Sequence, residues 1–236
     1  VDLGILICED LWIDGGATAE LAARKPGLLL VPNGSPFERN KDDIRLALVK
    51  KRAIESKAPL VYVNMTGGQD DLVFDGDSIV VDGQGSVIAR APQFEDGMML
   101  VDIAVASKTS QPDLIISEDL VALNRDLVPG IALPLGDEEE IWQAIVVGLR
   151  DYVRKNGFTD VLIGLSGGID SALVAALAVD ALGAENVHGV AMPSKYSSLH
   201  SIEDAQELAK NTGLALRTVR IEEMVDAYMG AIELTG

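Results

Sequence analysis

"LIGLSGGIDSALVAALAVD", residues 162–180, runs a short apolar stretch into Ser166, Gly167 and Gly168, then Ile169, Asp170 and Ser171, then a second apolar stretch. The first stretch has strand length and ends at Leu165, and the second reads as a helix starting near Asp170. A strand that turns straight into a helix belongs to a parallel sheet, so the turn lies at the carboxyl end of the strand, where open α/β sheets bind ligands. Glycines let backbone N–H groups approach an anion, the helix N-terminus adds partial positive charge, and the two serines offer hydroxyls. The glycines alone fit a tight packing turn as well as an anion cradle. Asp170 would repel a bare phosphate, so it reads either as a helix cap or as the carboxylate of a bridging Mg²⁺.

Working outward, the alternation continues on both sides of this turn. Asp137 is placed to cap a helix with Glu138 to Glu140 in its first turn and Ile141, Ile145, Leu149 and Tyr152 on its apolar face. Then come "DVLIGL" (160–165), a helix to Leu182, "NVHGVAM" (186–192), a helix over Ser201 to Asn211, "LALRTVRI" (214–221) and a helix over Glu222 to Ile232. Such alternation predicts a parallel sheet with helices packed on it. Residues 107–136 carry Pro112, Pro129 and Pro134 and no sustained period, and read as a connector.

The first half is organised differently. Short apolar runs at Leu3 to Ile7 and Leu28 to Val31 read as buried strands. Residues 41–57 have helical spacing, with Ile44, Ala47, Leu48 and Ile54 on one side and the basic cluster Lys50, Lys51, Arg52 elsewhere. "PLVYVN" (59–64) reads as a strand, "DSIVVDGQGSVIARA" (77–91) as a hairpin turning at Gly83 to Gly85, and "MMLVDI" (98–103) as a closing strand.

The formal net charge is -18, with 37 acidic against 19 basic residues, which argues against binding nucleic acid through its phosphates. No apolar run reaches the ~18 residues needed to span a bilayer, so no membrane partner is expected. One cysteine excludes an internal disulfide and fits a reducing cytoplasm. The chain opens at Val1 already in a core-like strand, which leads us to expect a fragment whose N-terminal part is missing. From its position alone, Cys8 reads as a small buried hydrophobe; at the end of a strand with Glu9 and Asp10 following, it also fits an elbow that exposes a nucleophile. His188 and His200 have no ligand pattern beside them and read as structural.

Ser-Gly-Gly-Ile-Asp-Ser after a strand resembles the PP-loop of ATP pyrophosphatases, and "MPSKYSSLHSIEDA" (192–205) is similar to the mobile loop of NAD synthetases. "ILICEDLW" (5–12) resembles the nucleophile elbow of the nitrilase superfamily, with "LLLVPNGSPFERNK" (28–41), "YVNMTGGQDDLVFDGDSIVVDGQGSVIARA" (62–91) and "MMLVDI" following in that superfamily's order. Joined in one chain, the two resemble glutamine-dependent NAD synthetases. The fold implied is α/β: a nitrilase-like α-β-β-α sandwich part (residues 1–106, a CN hydrolase glutaminase domain), the connector at 107–136, and a doubly wound parallel-sheet PP-loop part, adenine nucleotide alpha hydrolase-like, from 137 to 236.

The resemblance implies that Cys8 is the catalytic nucleophile, that Glu9, Trp12, Ser35 and Lys41 (or Arg39 in place of Lys41) line a glutamine pocket, and that Gly164, Leu165, Ser166, Gly167, Gly168, Ile169, Asp170, Ser171 and Met192 bind ATP. It further implies Mg²⁺ on Asp170, a mobile loop containing Ser194, Tyr196 and Ser197, deamido-NAD⁺ as the acceptor, and a cytoplasmic homo-oligomer. The family's catalytic Glu and Lys precede the cysteine and are not assigned to this chain, which is expected to be inactive by itself. Another PP-loop amidotransferase, or a non-catalytic fragment of the same ancestry, is the alternative reading.

Overall fold

The computed structural model describes residues 1–105, 114–115, 130–195 and 197–232. The chain divides into two compact units, Val1–Ala144 and Ile145–Gly236.

In the first unit, β1 (Leu3–Ile5), β2 (Leu28–Asn33) and β3 (Leu60–Asn64) are parallel, and β6 (Ile79–Val81) and β7 (Val87–Arg90) continue the sheet antiparallel in the order β1-β2-β3-β6-β7. The hairpin β4 (Thr66–Gln69) and β5 (Leu72–Asp75) stands apart as a two-stranded sheet. Helices α1 (Gly16–Arg24) and α2 (Lys41–Ser56) are the crossovers that parallel neighbours require. One face of the sheet contributes Leu29, Val31, Leu60, Tyr62, Ile79 and Val81 to a core that Leu6, Leu11, Val49 and Ala53 complete. The β6–β7 hairpin and its Gly-rich turn are as expected, with Gly85 at φ +83 where a glycine is needed.

Three expectations need correcting here. "MMLVDI" forms no strand, and Met98 and Leu100 are exposed; β7 meets Ile131 instead, so the ladder partner that a further strand needs is already supplied by the chain at 130–132. Leu3 and Ile5 of β1 are exposed, because only alternate residues of an edge strand face the core. The buried side of α2 is also not the predicted one: Ile44, Ala47 and Ile54 are exposed and only Leu48 packs on the core, while Arg45, Val49, Arg52, Ala53 and Ser56 face inward.

Two arginines turn inward because partners are waiting. Arg45, with no exposed side-chain area, donates to both carboxylate oxygens of Asp75 at 2.9 and 3.0 Å and lies 3.8 Å from Asp77. Arg90 binds Asp77 in turn, at 3.0 Å through Nη2 and at 2.5 Å through Nε. Arg52 donates to the carbonyls of Leu11 (2.7 Å) and Trp12 (3.3 Å) and pairs with Asp14 and Glu55. Burying a guanidinium is costly unless its donors find partners; here carboxylates and main-chain oxygens take most of them, and among the described residues only the Arg45 Nε–H is left without one.

Helix α3 (Asp137–Lys155) contains the division between the units. Asp137 is its first residue rather than its cap: the Gly136 carbonyl accepts the Glu140 N–H at 2.8 Å, and the Asp137 carboxylate pairs with Arg39 at 3.1 Å. The inward residues are Glu140, Ala144, Val146, Val147 and Val153, whereas Ile141, Ile145 and Tyr152 are exposed, so the expected stripe is displaced around the helix.

In the second unit, β8 (Val161–Gly164), β9 (Val187–Ala191) and β10 (Ala215–Thr218) form a parallel sheet in the order β10-β9-β8, with α4 (Ile169–Leu182), α5 (Leu199–Thr212) and α6 (Glu222–Ile232) following the strands in turn. This is the alternation expected from the sequence. Among the described residues, no helix is long and apolar enough to cross a membrane.

Two measurements test this account. Arg45→Leu leaves the Asp75 carboxylate buried without its cation and is expected to cost about 3–5 kcal/mol in denaturant unfolding, much of which the double variant Arg45→Leu/Asp75→Leu should recover. Burial pushes the Glu140 carboxyl up, opposed by the Gln93 amide that donates to it at 2.7 Å. A raised acid destabilises the fold as pH rises from the ordinary glutamate range through its own folded value. Glu140→Gln should therefore stabilise the protein at neutral pH, and the gain should vanish when the denaturation midpoint is read below that window.

Candidate functional sites at the ends of parallel strands

In the first unit, the carboxyl ends of β1, β2 and β3 gather three polar segments. Just beyond β1, Cys8 opens a 3-10 turn (Cys8–Leu11) with φ +45, a left-handed conformation that a non-glycine residue adopts only under constraint. The constraint is visible on each side. Asp10 accepts the Ile7 N–H at 2.9 Å, Thr18 donates to the Asp10 carbonyl at 3.0 Å, and Arg52 holds the carbonyls of Leu11 and Trp12. The thiol is partly exposed. A strained, externally braced elbow is how a nucleophile is presented at the top of a sheet.

Ser35, beyond the end of β2, is buried, and its N–H and carbonyl are both bonded by the side chain of Asn64 at the end of β3. Burial pushes the Tyr62 phenol up, opposed by the Arg45 guanidinium that lies over its ring, 5.9 Å from the centroid. Glu9 is exposed. Trp12 packs against the core, and Lys41 is paired with Glu38 at 2.6 Å, which lowers the Glu38 carboxyl. Arg39 is paired with Asp137. A cavity of about 530 Å³ opens beside Asn64, Asp77 and Arg90, and none of Cys8, Glu9, Trp12, Ser35 or Lys41 lines it. Asn64 was missed in the sequence because "PLVYVN" reads simply as a strand; an Asn ending an otherwise apolar strand was the available signal.

In the second unit, Gly164 ends β8, Leu165 is buried, and the chain turns at Gly167 with φ +80 into α4, for which Gly168 is the N-cap. The Ser166 hydroxyl accepts the Gly168 N–H at 3.2 Å and lies 3.1 Å from the Ser171 hydroxyl, which donates to the Gly168 carbonyl at 3.0 Å. These bonds hold an open loop around the first turn of the helix. Asp170 is exposed there, and the Met192 methyl lies close to Gly164, 3.4 Å from where a Cβ would sit. Ser194 and Ser197 bond each other at 3.1 and 3.0 Å, and Ser198 caps α5 by accepting from the Ser201 N–H. Tyr196 lies outside the described residues. His188 pairs with Asp160 at 2.9 Å.

With both geometries in view, comparisons with known proteins are informative. Residues 1–112 match the carbon-nitrogen hydrolase family, and residues 141–235 match NAD synthase. The chain is related over nearly its whole length to glutamine-dependent NAD(+) synthetases. It is 46% identical to the one from Rhodobacter capsulatus, over 98% of this chain and 39% of that protein, and 42% identical to the one from Aquifex aeolicus, over 96% and 43%. Among solved structures it is similar to the glutamine-dependent NAD+ synthetase from Acinetobacter baumannii in complex with adenosine diphosphate, with a TM-score of 0.79 and 38% identity over 98% of this chain and 40% of that one. The chain thus spans about two fifths of the length of the relatives it matches. The resemblance and the α/β, nitrilase-like plus PP-loop fold class expected from the motifs are borne out.

Gly167 offers a direct check. A Cβ there would lie 2.2 Å from the Ser201 carbonyl oxygen, whereas Gly157, at φ +77, has open space around it. Gly157→Ala should cost about 1–2 kcal/mol for the left-handed backbone alone, and Gly167→Ala clearly more, in paired denaturant titrations.

Proposed function

We propose that this chain carries parts of the two sites of a glutamine-dependent NAD⁺ synthetase. The observation that carries the reading is the presence, in one chain, of a braced cysteine elbow and a serine-glycine loop, each at the carboxyl end of a parallel strand. Residues 1–106 contribute the glutaminase part, 137–236 the synthetase part, and 107–136 join them.

At the first site the Cys8 thiolate attacks the side-chain carbonyl of glutamine. Collapse of the tetrahedral species expels ammonia and leaves a glutamyl thioester, which water hydrolyses to glutamate. The turn after Cys8 directs backbone N–H groups toward the developing oxyanion. Glu9, Trp12, Ser35 and Lys41 form the glutamine pocket; for Lys41 this requires leaving Glu38. The base and the oxyanion lysine are not assigned to residues of this chain.

At the second site the backbone N–H groups and hydroxyls from Gly164 to Ser171 hold the phosphates of ATP, and Met192 borders the adenine. The carboxylate of deamido-NAD⁺ attacks the α-phosphorus, pyrophosphate leaves, and ammonia then displaces AMP to give NAD⁺. The adenosine diphosphate bound by the Acinetobacter baumannii relative supports an adenine-nucleotide site. Asp170, an exposed carboxylate in the first turn of α4 beside the loop, would be the residue of this chain to hold a Mg²⁺. Bound there it would neutralise phosphate charge. Ser194, Tyr196 and Ser197 belong to a loop that closes over the nucleotide.

The strong negative charge supports small-molecule partners rather than nucleic acid, and the single cysteine supports a cytoplasmic location. The intact enzyme is proposed to be a homo-oligomer. The test is NAD⁺ formation from deamido-NAD⁺ and Mg-ATP by the uninterrupted gene product, with glutamine or ammonium as donor. Cys8→Ala is expected to abolish glutamine use and spare ammonium use; failure of the wild type with both donors would remove the assigned acceptor.

A further inference from the structure

We infer that Asn64 is a positioning residue for the segment carrying Ser35, and that Asp75, clamped by Arg45, sets the orientation of its amide. The inference rests on the reading of Cys8 as a glutaminase nucleophile.

Asn64 ends β3 and is buried. Its Oδ1 accepts the Ser35 N–H at 2.9 Å, and its Nδ2 donates both to the Ser35 carbonyl at 3.2 Å and to Asp75 Oδ1 at 3.3 Å. One side chain therefore satisfies both main-chain groups of Ser35. Around Ser35 the segment is tied to its neighbours as well: the Met65 N–H donates to the Asn33 carbonyl at 3.0 Å, the Asn33 Nδ2 to the Val63 carbonyl at 3.3 Å, and the Phe37 N–H to the Val73 carbonyl at 2.7 Å. Ser35 itself is held at both of its main-chain groups by Asn64.

The two ends of an amide have nearly the same shape, so something must decide which end faces Ser35. A carboxylate only accepts, so Asp75 Oδ1 faces the NH₂ end and leaves the carbonyl end for the Ser35 N–H. Asp75 cannot turn away, because Arg45 binds both of its oxygens. The relay from α2 through β5 to β3 ends at the Ser35 backbone.

The experiment uses the intact gene product and measures glutamine hydrolysis together with ammonium-dependent NAD⁺ formation. Asn64→Asp sets two carboxylates against each other, and Asp75→Asn, nearly isosteric, removes the orienting charge. Both are expected to raise the glutamine KM about tenfold or more through the loss of a buried hydrogen bond, and to leave the ammonium-dependent rate near that of the wild type. The double variant Asn64→Asp/Asp75→Asn should not recover the lost glutamine affinity, because a carboxylate at 64 has no donor for the Ser35 carbonyl. If glutamine KM stays within about twofold of the wild type in both single variants, or if both donor reactions fall in step, the positioning role is overturned. A wild type whose glutamine use survives Cys8→Ala overturns the glutaminase reading, and the inference with it.

Discussion

Arg45 is fully enclosed, and a guanidinium cannot lose its charge inside a protein, so the first unit has to bring acids to it. Asp75 meets it with both oxygens, Asp77 lies beside it, and Arg90 balances Asp77 from the other side, with Asp42 3.5 Å from Arg90. This chain of alternating charges links α2, the end of β5, the turn before β6, and β7. Asp75 and Asp77 are near neighbours in sequence, but Arg45 and Asp75 are 30 residues apart. The network therefore specifies one register among the segments, and breaking it on one side leaves a buried charge unmet.

The candidate site around Cys8 borrows its rigidity from this interior. Arg52, a helical turn or two along α2 from Arg45, braces the turn after Cys8 through two carbonyls, while Asp75 orients Asn64 against Ser35. Both faces of the candidate site are thus held by groups from the interior of the unit. Such support suits a cysteine in a left-handed conformation, because that conformation persists only if the surroundings over-determine it.

The second unit solves a different problem by simpler means. Its loop from Ser166 to Ser171, in a chain of net charge -18, carries no cation and presents glycines and hydroxyls at the first turn of α4. The glycine at 167 is required twice, by its positive φ and by the Ser201 backbone pressed against it. That contact ties the loop to the start of α5, the helix that follows the Met192 to Ser198 segment.

Local sequence was sufficient wherever the structure repeats a short-range pattern. The strand-turn-helix at 161–182, the alternation of the second unit and the β6–β7 hairpin follow from residue periods and glycine positions, which depend on neighbours a few residues away. The cysteine elbow was legible for the same reason, and the relatedness to glutamine-dependent NAD synthetases followed from joining it to the glycine loop. Sequence alone misplaced the buried faces of α2 and α3. Hydrophobicity there points to Ile44 and Ile54, or Ile141 and Ile145, while the actual interior takes Arg45, Arg52 and Glu140. A charged residue counts as outward until its partner is known, and these partners lie on distant segments of the chain. Residue types and short-range periods determined the elements and the two elbows; only the tertiary structure decided which charges are interior, because burial of a charge depends on which distant group arrives to meet it.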